Sequence, residues 1–311
     1  MLDVFNSFRN QEGYIELEKI PSLSLLDKNT FGSRQKLWFQ TNEMEILFKQ
    51  NMKINEDITE ILNEFISHNL DIECASYDTA IYQGQKGVIT QQFLQSKDEF
   101  LPAICLLCSD HNHKISNDIY TFLLALEYNQ FDSKQIETII AKLFQNQIQD
   151  IFTAQFDRNW GNLAFIQRQN QILLAPRHDS AGSFLSIFDP NKITHFLDMG
   201  KEKEQLFLRY KGFRTKFRIS PFEKKYNAMQ ELVHASYGET YSQLPKSMQI
   251  GIKQALPLIE KLSLFSFKEV FQMLNDYNLE IPKRQQAFYQ YILDYNIEMY
   301  EKEKQKVYNK F

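Results

Sequence analysis

Cysteine is scarce in this sequence, with three among 311 residues. Cys74, Cys105 and Cys108 cannot all pair within one chain, which excludes a disulfide scaffold and fits a reducing compartment. Long apolar runs are missing too: none approaches the roughly 18 consecutive residues that a membrane-spanning helix needs. The start of the chain lacks the charged stretch and apolar core of a secretory signal. A cytoplasmic protein is expected, with a secreted effector that carries no cleavable signal as the other reading. Strong charge of one sign is also absent. A formal net charge of -4 excludes a protein whose whole surface tracks nucleic acid, while leaving room for a local basic patch. No internal repeat or low-complexity stretch suggests a solenoid or a linker.

What is present is a globular composition: 43% hydrophobic and 24% charged residues, with 26 Phe and 15 Tyr. The length allows two lobes, each with its own core. The first ninety or so residues alternate strand-like runs with one helix. Residues 36–40, 45–49, 76–82 and 87–93 read as strands of a small antiparallel sheet, several of them rich in β-branched or aromatic residues. Between them Ile58, Ile61, Leu62, Phe65, Ile66 and Leu70 recur at helical spacing, with Asn55 as candidate cap and Glu56 and Asp57 in the first turn. Beyond residue 100 the pattern is mainly helical, with one strand-rich interruption. Pro221 is placed to open a helix capped by Ser220, and breaks are expected near Gly238, Pro245, Pro257 and Pro282.

The segment Phe156-Asp157-Arg158-Asn159-Trp160-Gly161-Asn162 sets an Asp and an Asn five positions apart just before a strand. That is the spacing of a protein-kinase catalytic loop, in which the Asp takes the proton of the acceptor hydroxyl and the Asn holds magnesium. Residues 163–166 and 172–175 then read as a hairpin that returns Asp179 beside Asn162. Magnesium needs hard oxygen ligands and is commonly held by one or two protein groups together with nucleotide phosphates, so Asn162 and Asp179 suffice. Upstream, Phe31-Gly32-Ser33-Arg34-Gln35-Lys36 offers a phosphate-covering loop, and Leu47-Phe48-Lys49 offers a strand lysine. Glu60 and Glu64, one helical turn apart, are the candidate carboxylate partners of Lys49.

Three further motifs have plainer readings. Cys105 and Cys108 form a CxxC without a second pair at zinc spacing, and two buried helix cysteines are expected. His111 and His113 lack a third ligand and read as a surface loop. Trp160 is expected to pack the catalytic loop on the helical part.

These motifs together resemble the HipA-like bacterial serine/threonine kinases, in the short, single-kinase form. That family carries an Asp, six residues, Asp-Arg-His-x-x-Asn, a short hairpin and Ala-Pro-x-x-Asp before a Gly-Ser. Here these are Asp150, Asp157 to Asn162, Ala175-Pro176-Arg177-His178-Asp179 and Gly182-Ser183. The family's Gly-x-x-x-Lys loop falls on Gly32 and Lys36. Its helix glutamate precedes a Leu-Gly-Ile-like end by ten residues, which selects Glu60, ahead of Leu70-Asp71-Ile72, over Glu64. The sequence departs from the pattern at Asn159, where the family has His, and at Gly182, which comes one residue late.

The resemblance implies an α+β, two-lobed protein-kinase-like fold, with residues 1–94 as a small β-rich lobe and 95–311 as a mainly helical lobe. It implies ATP and Mg2+ as cofactors, with Gly32, Ser33, Lys36, Lys49 and Phe93 toward the nucleotide, and adenine near residues 91–94. Asp157, Lys49 and Glu60 are the implied catalytic residues, and Asn162 and Asp179 the implied metal ligands. The partners would be a protein with an acceptor Ser or Thr and a cognate antitoxin. Ser22, Ser24, Thr30 and Ser33 are candidate self-phosphorylation sites. Arg214, Lys216 and Arg218 alternate along a strand-like stretch and form a candidate docking face for an anionic partner. Two other functions share these features: a lipid or small-molecule kinase of the same fold, and a catalytically dead nucleotide- or partner-binding module.

Overall fold

The computed structural model describes residues 2–28, 36–53, 55–107, 118–155, 157–169, 171–184, 186, 197–198, 218–219 and 227–309. Gly32 and Ser33, the pair His111 and His113, Cys108, Arg214, Lys216, Ser220 and Pro221 lie outside them.

The first lobe is a six-stranded sheet in the order β1-β5-β6-β4-β3-β2. Its strands are β1 (Ile15–Glu16), β2 (Ser24–Leu26), β3 (Lys36–Gln40), β4 (Glu45–Gln50), β5 (Tyr77–Tyr82) and β6 (Gln85–Gln91). β1 runs parallel to β5 and the other pairings are antiparallel. The four strands expected from sequence are present within two residues at each end; β1 and β2, too short to show a period of two, are additions. Alternation gives the sheet two buried faces. Phe39, Ile46, Phe48, Ala80 and Ile89 pack with Leu2, Phe5, Ile15, Leu17 and Ile20 from the N-terminal segment. Val88 and Tyr77 face the other way, onto helix α1 (Glu56–Asn69) and its residues Ile58, Ile61, Leu62 and Ile66. Burying each such aliphatic side chain contributes about 1.5–3 kcal/mol before chain entropy is counted. Asn55 precedes α1 with φ 73°, and its side chain makes no cap hydrogen bond. Glu56 ties down the turn that precedes the helix, accepting the backbone N–H of Met52 at 2.7 Å.

The second lobe opens with β7 (Glu99–Pro102) and α2 (Ala103–Leu107). β7 joins β8 (Ala164–Arg168) and β9 (Gln171–Leu174) in a three-stranded antiparallel sheet. The hairpin β8–β9 is the expected one, in the register Phe165↔Leu174. Cys105 lies in α2 as expected of a helix residue, yet it is exposed rather than buried. α2 is only five residues long and presents that position to solvent. Helices α3 (Ile119–Tyr128) and α4 (Ser133–Phe152) follow, the second opened by a capping box of Asp132 and Gln135.

The C-terminal helices are α5 (Ala228–Tyr237), α6 (Thr240–Gln243), α7 (Lys246–Ala255), α8 (Pro257–Leu264), α9 (Lys268–Asp276) and α10 (Lys283–Tyr308). Four of their five breaks fall at Gly238, Pro245, Pro257 and Pro282 as expected; the fifth, at residues 265–267 between α8 and α9, carries no Gly or Pro and was not expected. α7 crosses α4 so closely that a Cβ on Gly251 would lie 2.8 Å from the Phe144 ring. α10 braces the end of α4, where Asn296 Nδ2 donates to the Phe152 carbonyl at 2.9 Å. No helix among the described residues is long and apolar enough to cross a membrane.

Candidate active site

Lys49 owes its position to strand alternation. Ile46 and Phe48 take the inner face of β4, which turns Lys49 toward α1. Lys36 stands directly opposite it on β3, and directly paired residues share a sheet face. Lys49 Nζ donates to Glu60 Oε1 at 2.8 Å, and these side chains are 8% and 1% exposed. The second Glu60 oxygen accepts the backbone N–H of Ser180 at 2.7 Å. Lys49 also pairs with the carboxylate of Asp179, which is 31% exposed and so stays open on one side. Glu64 is buried as well, but it turns away and accepts the backbone N–H of Tyr77 at 2.7 Å. Neither glutamate is a solvated helix residue, because both meet donors from other elements.

The loop after α4 is shaped by the end of that helix. Ala154 adopts φ 52°, and Gln155 N–H reaches back to the Asp150 carbonyl at 2.8 Å, a left-handed helix termination. Trp160 is buried and stacks on Phe122 with ring centroids 4.9 Å apart, the packing role expected of it. The amide groups of Asn159 and Asn162 each donate to the Asp157 carbonyl at 2.8 Å. Asn159 Oδ1 in turn accepts Gly161 N–H at 2.8 Å. Asn159, the departure from the family pattern, therefore caps the short turn Trp160–Asn162. Because a carbonyl only accepts, the Asn162 amide nitrogen must face Asp157, which turns its oxygen outward as a candidate cation ligand.

Arg158 joins this loop to the one bearing Asp179. Its side chain is 2% exposed and pairs with Asp150 at 2.9 Å. One guanidinium nitrogen, Nη1, donates to the carbonyls of Asn162 at 3.0 Å and His178 at 2.8 Å. Nη2 donates to Ser180 Oγ at 3.2 Å. A single planar cation thus brings the backbone at Asn162 next to the residue preceding Asp179. Arg177 adds a second buried cation on Asp150, at 2.6 Å. Burial opposes the charge of both arginines. For Arg158 the Asp150 carboxylate and its hydrogen bonds outweigh burial and raise the pKa, whereas for Arg177 burial prevails and lowers it. Burial would also raise the pKa of Asp179, but the charge and hydrogen bond of Lys49 overcome it and hold the carboxyl below its ordinary range.

Asp179 sits at φ 56°, a left-handed conformation uncommon outside glycine. Its N–H donates to the Tyr77 hydroxyl at 3.1 Å and its carbonyl accepts Gln155 Nε2 at 3.1 Å. Gly182, the other departure from the family pattern, packs against the catalytic loop. A Cβ there would lie 2.5 Å from Gln155 Oε1 and 3.1 Å from the Asp157 Cβ, so a larger residue would push the Gln155 amide out of its place.

Phe93 is half-buried and lies among Phe100, His178, Ala164, Ile166 and Ala175, an apolar patch at the junction of the lobes. Burial lowers the pKa of His178, which favours the neutral ring. The described residues thus bring Lys49, Glu60 and Asp179 together and, through Arg158, Asp157 and Asn162 alongside them. Arg218, from the candidate docking face, is 27% exposed and pairs with Glu231 at 3.4 Å, so it is tied to its own lobe. Ser22 and Ser24 are exposed. Gln155 and Tyr77 carry no motif and were not expected from sequence, while Asp150 and Arg158 stand in the quoted motif without an assigned role.

No protein-family model matches the chain, and no curated protein matches its sequence. Among solved structures, the Helicobacter pylori proinflammatory kinase CtkA matches with a TM-score of 0.68 at 14% identity, over 90% of this chain and 97% of that one. HipA of a Shewanella oneidensis toxin–antitoxin system, solved with HipB and operator DNA, matches with a TM-score of 0.49 at 13% identity, over 90% of this chain and 66% of its own. At these identities the likeness is one of fold. The α+β architecture implied by the motif resemblance is the one found: this chain has the two-lobed kinase fold of CtkA, with a curled sheet lobe followed by a helical lobe.

Proposed function

We propose that this protein is an ATP- and magnesium-dependent serine/threonine protein kinase. The observation that carries the reading is the convergence of Lys49, Glu60 and Asp179 from three elements, with Arg158 fixing Asp157 and Asn162 beside them. Lys49, oriented by Glu60, would bind the α- and β-phosphates, and Lys36 on the same sheet face adds positive field. Gly32 and Ser33 would cover the phosphates, and the patch around Phe93 suits a flat aromatic base.

The donors fit magnesium. Asn162 Oδ1 and the open side of the Asp179 carboxylate are hard oxygens, and nucleotide phosphates complete the shell. Bound there, the ion would neutralise charge on the β- and γ-phosphates. Asp157 orients the acceptor hydroxyl and takes its proton as that oxygen bonds to the γ-phosphorus and ADP leaves. The reaction requires a partner protein with an acceptor Ser or Thr, and the motif resemblance adds a cognate antitoxin.

Incubation with labelled ATP and magnesium, alone and with a cell lysate, followed by phosphosite mapping, tests the proposal. Label on serine or threonine of a protein supports it, and magnesium-dependent nucleotide binding without any transfer overturns it. Label recovered only in lipids or small molecules would move the assignment to another substrate class.

A further inference from the structure

Gln155 is fully buried at the base of the active-site loops, and among the described residues only its amide nitrogen finds a partner. Nε2 donates to the Asp179 carbonyl at 3.1 Å, while Oε1 is buried against Gly182 with no hydrogen-bond partner among the described residues. Turning the amide over would set two oxygens against each other, so the donor must face Asp179. A buried acceptor left open is disfavoured, and its retention calls for a reason.

Asp179 supplies one. Its left-handed backbone is held from both sides, by Tyr77 at the N–H and by Gln155 at the carbonyl. Gln155 is itself fixed to the end of α4 by its backbone N–H on the Asp150 carbonyl. Its side chain therefore transmits the position of a rigid helix to Asp179. Through Gly182, which touches both Gln155 and Asp157, it also fixes the spacing between the two carboxylates.

Resting on the kinase reading above, we propose that Gln155 is a positioning residue that holds Asp179 in the conformation required for magnesium. It touches neither nucleotide nor acceptor.

The test is the magnesium concentration that gives half-maximal binding of a fluorescent ATP analogue, read without turnover. Gln155→Leu keeps the volume and removes the donor. It should raise that concentration about three- to tenfold, the range one hydrogen bond carries, and leave magnesium-free nucleotide binding unchanged. Gly182→Ala should produce a similar shift in a protein with Gln155 intact, because the new Cβ displaces the amide. In a Gln155→Ala background, where that space is open, Gly182→Ala should add less than twofold. Unaltered magnesium dependence in both single variants, or shifts that multiply in the double variant, would overturn the proposal. If Gln155→Leu does not fold, Gly182→Ala and the Gln155→Ala pair decide it. A parent protein whose nucleotide binding ignores magnesium would instead remove the kinase reading, and this inference with it.

Discussion

Lys49 and Glu60 meet at 2.8 Å with both side chains more than nine-tenths buried, and the second oxygen of Glu60 holds the backbone of Ser180. One carboxylate therefore registers the strand lysine against the loop that carries Asp179. Removing one member of a buried pair leaves an uncompensated charge, which typically costs about 3–5 kcal/mol.

Lys49→Met should abolish turnover and destabilise the fold, because Glu60 and Asp179 both lose their cation. Glu60→Gln should lower turnover by a smaller factor, since Lys49 keeps Asp179 as a partner, while the amide oxygen can accept from Lys49 or from Ser180 N–H but not from both. Glu64→Gln should spare magnesium-dependent nucleotide binding and lower only the unfolding midpoint, because Glu64 serves the Tyr77 backbone. Turnover and urea unfolding of the three variants check this. Loss of nucleotide binding in Glu64→Gln with turnover intact in Glu60→Gln would exchange the two roles.

Asp157→Asn should reduce phosphoryl transfer by about 10²–10⁴, the range of a general base, with magnesium–ATP binding unchanged. The loop survives the substitution because Asn159 and Asn162 bind the backbone carbonyl of Asp157, not its carboxylate. Single-turnover kinetics set against equilibrium binding separates the two effects. A variant that transfers at the parent rate would remove Asp157 from the chemistry.

Much of this arrangement was legible in the sequence. The spacing from Asp157 to Asn162, the hairpin leading to Asp179 and the helical repeat bearing Glu60 are all local patterns. The preference for Glu60 over Glu64 came from the motif resemblance, since both sit on the same helix flank and periodicity treats them alike. What could not be read was tertiary. Tyr77 and Gln155 act on Asp179 across 102 and 24 positions of sequence, through groups that most Tyr and Gln residues leave in solvent. Strand β7 escaped notice because it has four residues and runs straight into α2. Exposure of Cys105 was equally hidden, as an apolar run says nothing about which turn of a short helix is covered.

Cys74 offers a test of the lobe junction by pH. Burial, reinforced by the nearby Glu64 carboxylate, pushes its thiol up to about 11. A raised thiol pKa means that the thiolate is scarce at neutral pH and appears only as pH climbs, so about one molecule in a thousand carries it at pH 8. Alkylation of Cys74 in the native protein should be slow at pH 8 and rise roughly tenfold per pH unit up to pH 10. Peptide mapping after timed iodoacetamide treatment follows it. A rate that levels off above about pH 9, as for an exposed thiol, would show that Cys74 is not buried in solution.

The last prediction concerns Arg158, whose guanidinium serves Asp150, Asn162, His178 and Ser180 at once. Lysine would keep the charge on Asp150 but has one nitrogen on a flexible stem, so it cannot span four acceptors in a fixed plane. Arg158→Lys should therefore leave the ion pair largely formed while the two loops lose their common tie. The expected result is a modest fall in stability, about 1–3 kcal/mol for the hydrogen bonds lost from buried carbonyls. Turnover should fall disproportionately, by at least tenfold beyond what the unfolded fraction explains. Asp150→Asn should do the reverse in proportion: it strands two buried arginines, so it should destabilise the fold by about 3–5 kcal/mol. Arg177 and Arg158 repel each other once Asp150 is neutral, which adds to that loss. Urea unfolding and single-turnover kinetics on both variants, at a temperature where each stays folded, separate the contributions. If Arg158→Lys lost stability and activity in the same ratio as Asp150→Asn, the arginine would be holding charge balance alone, and the alignment of Asn162 with Asp179 would have to come from elsewhere in the fold.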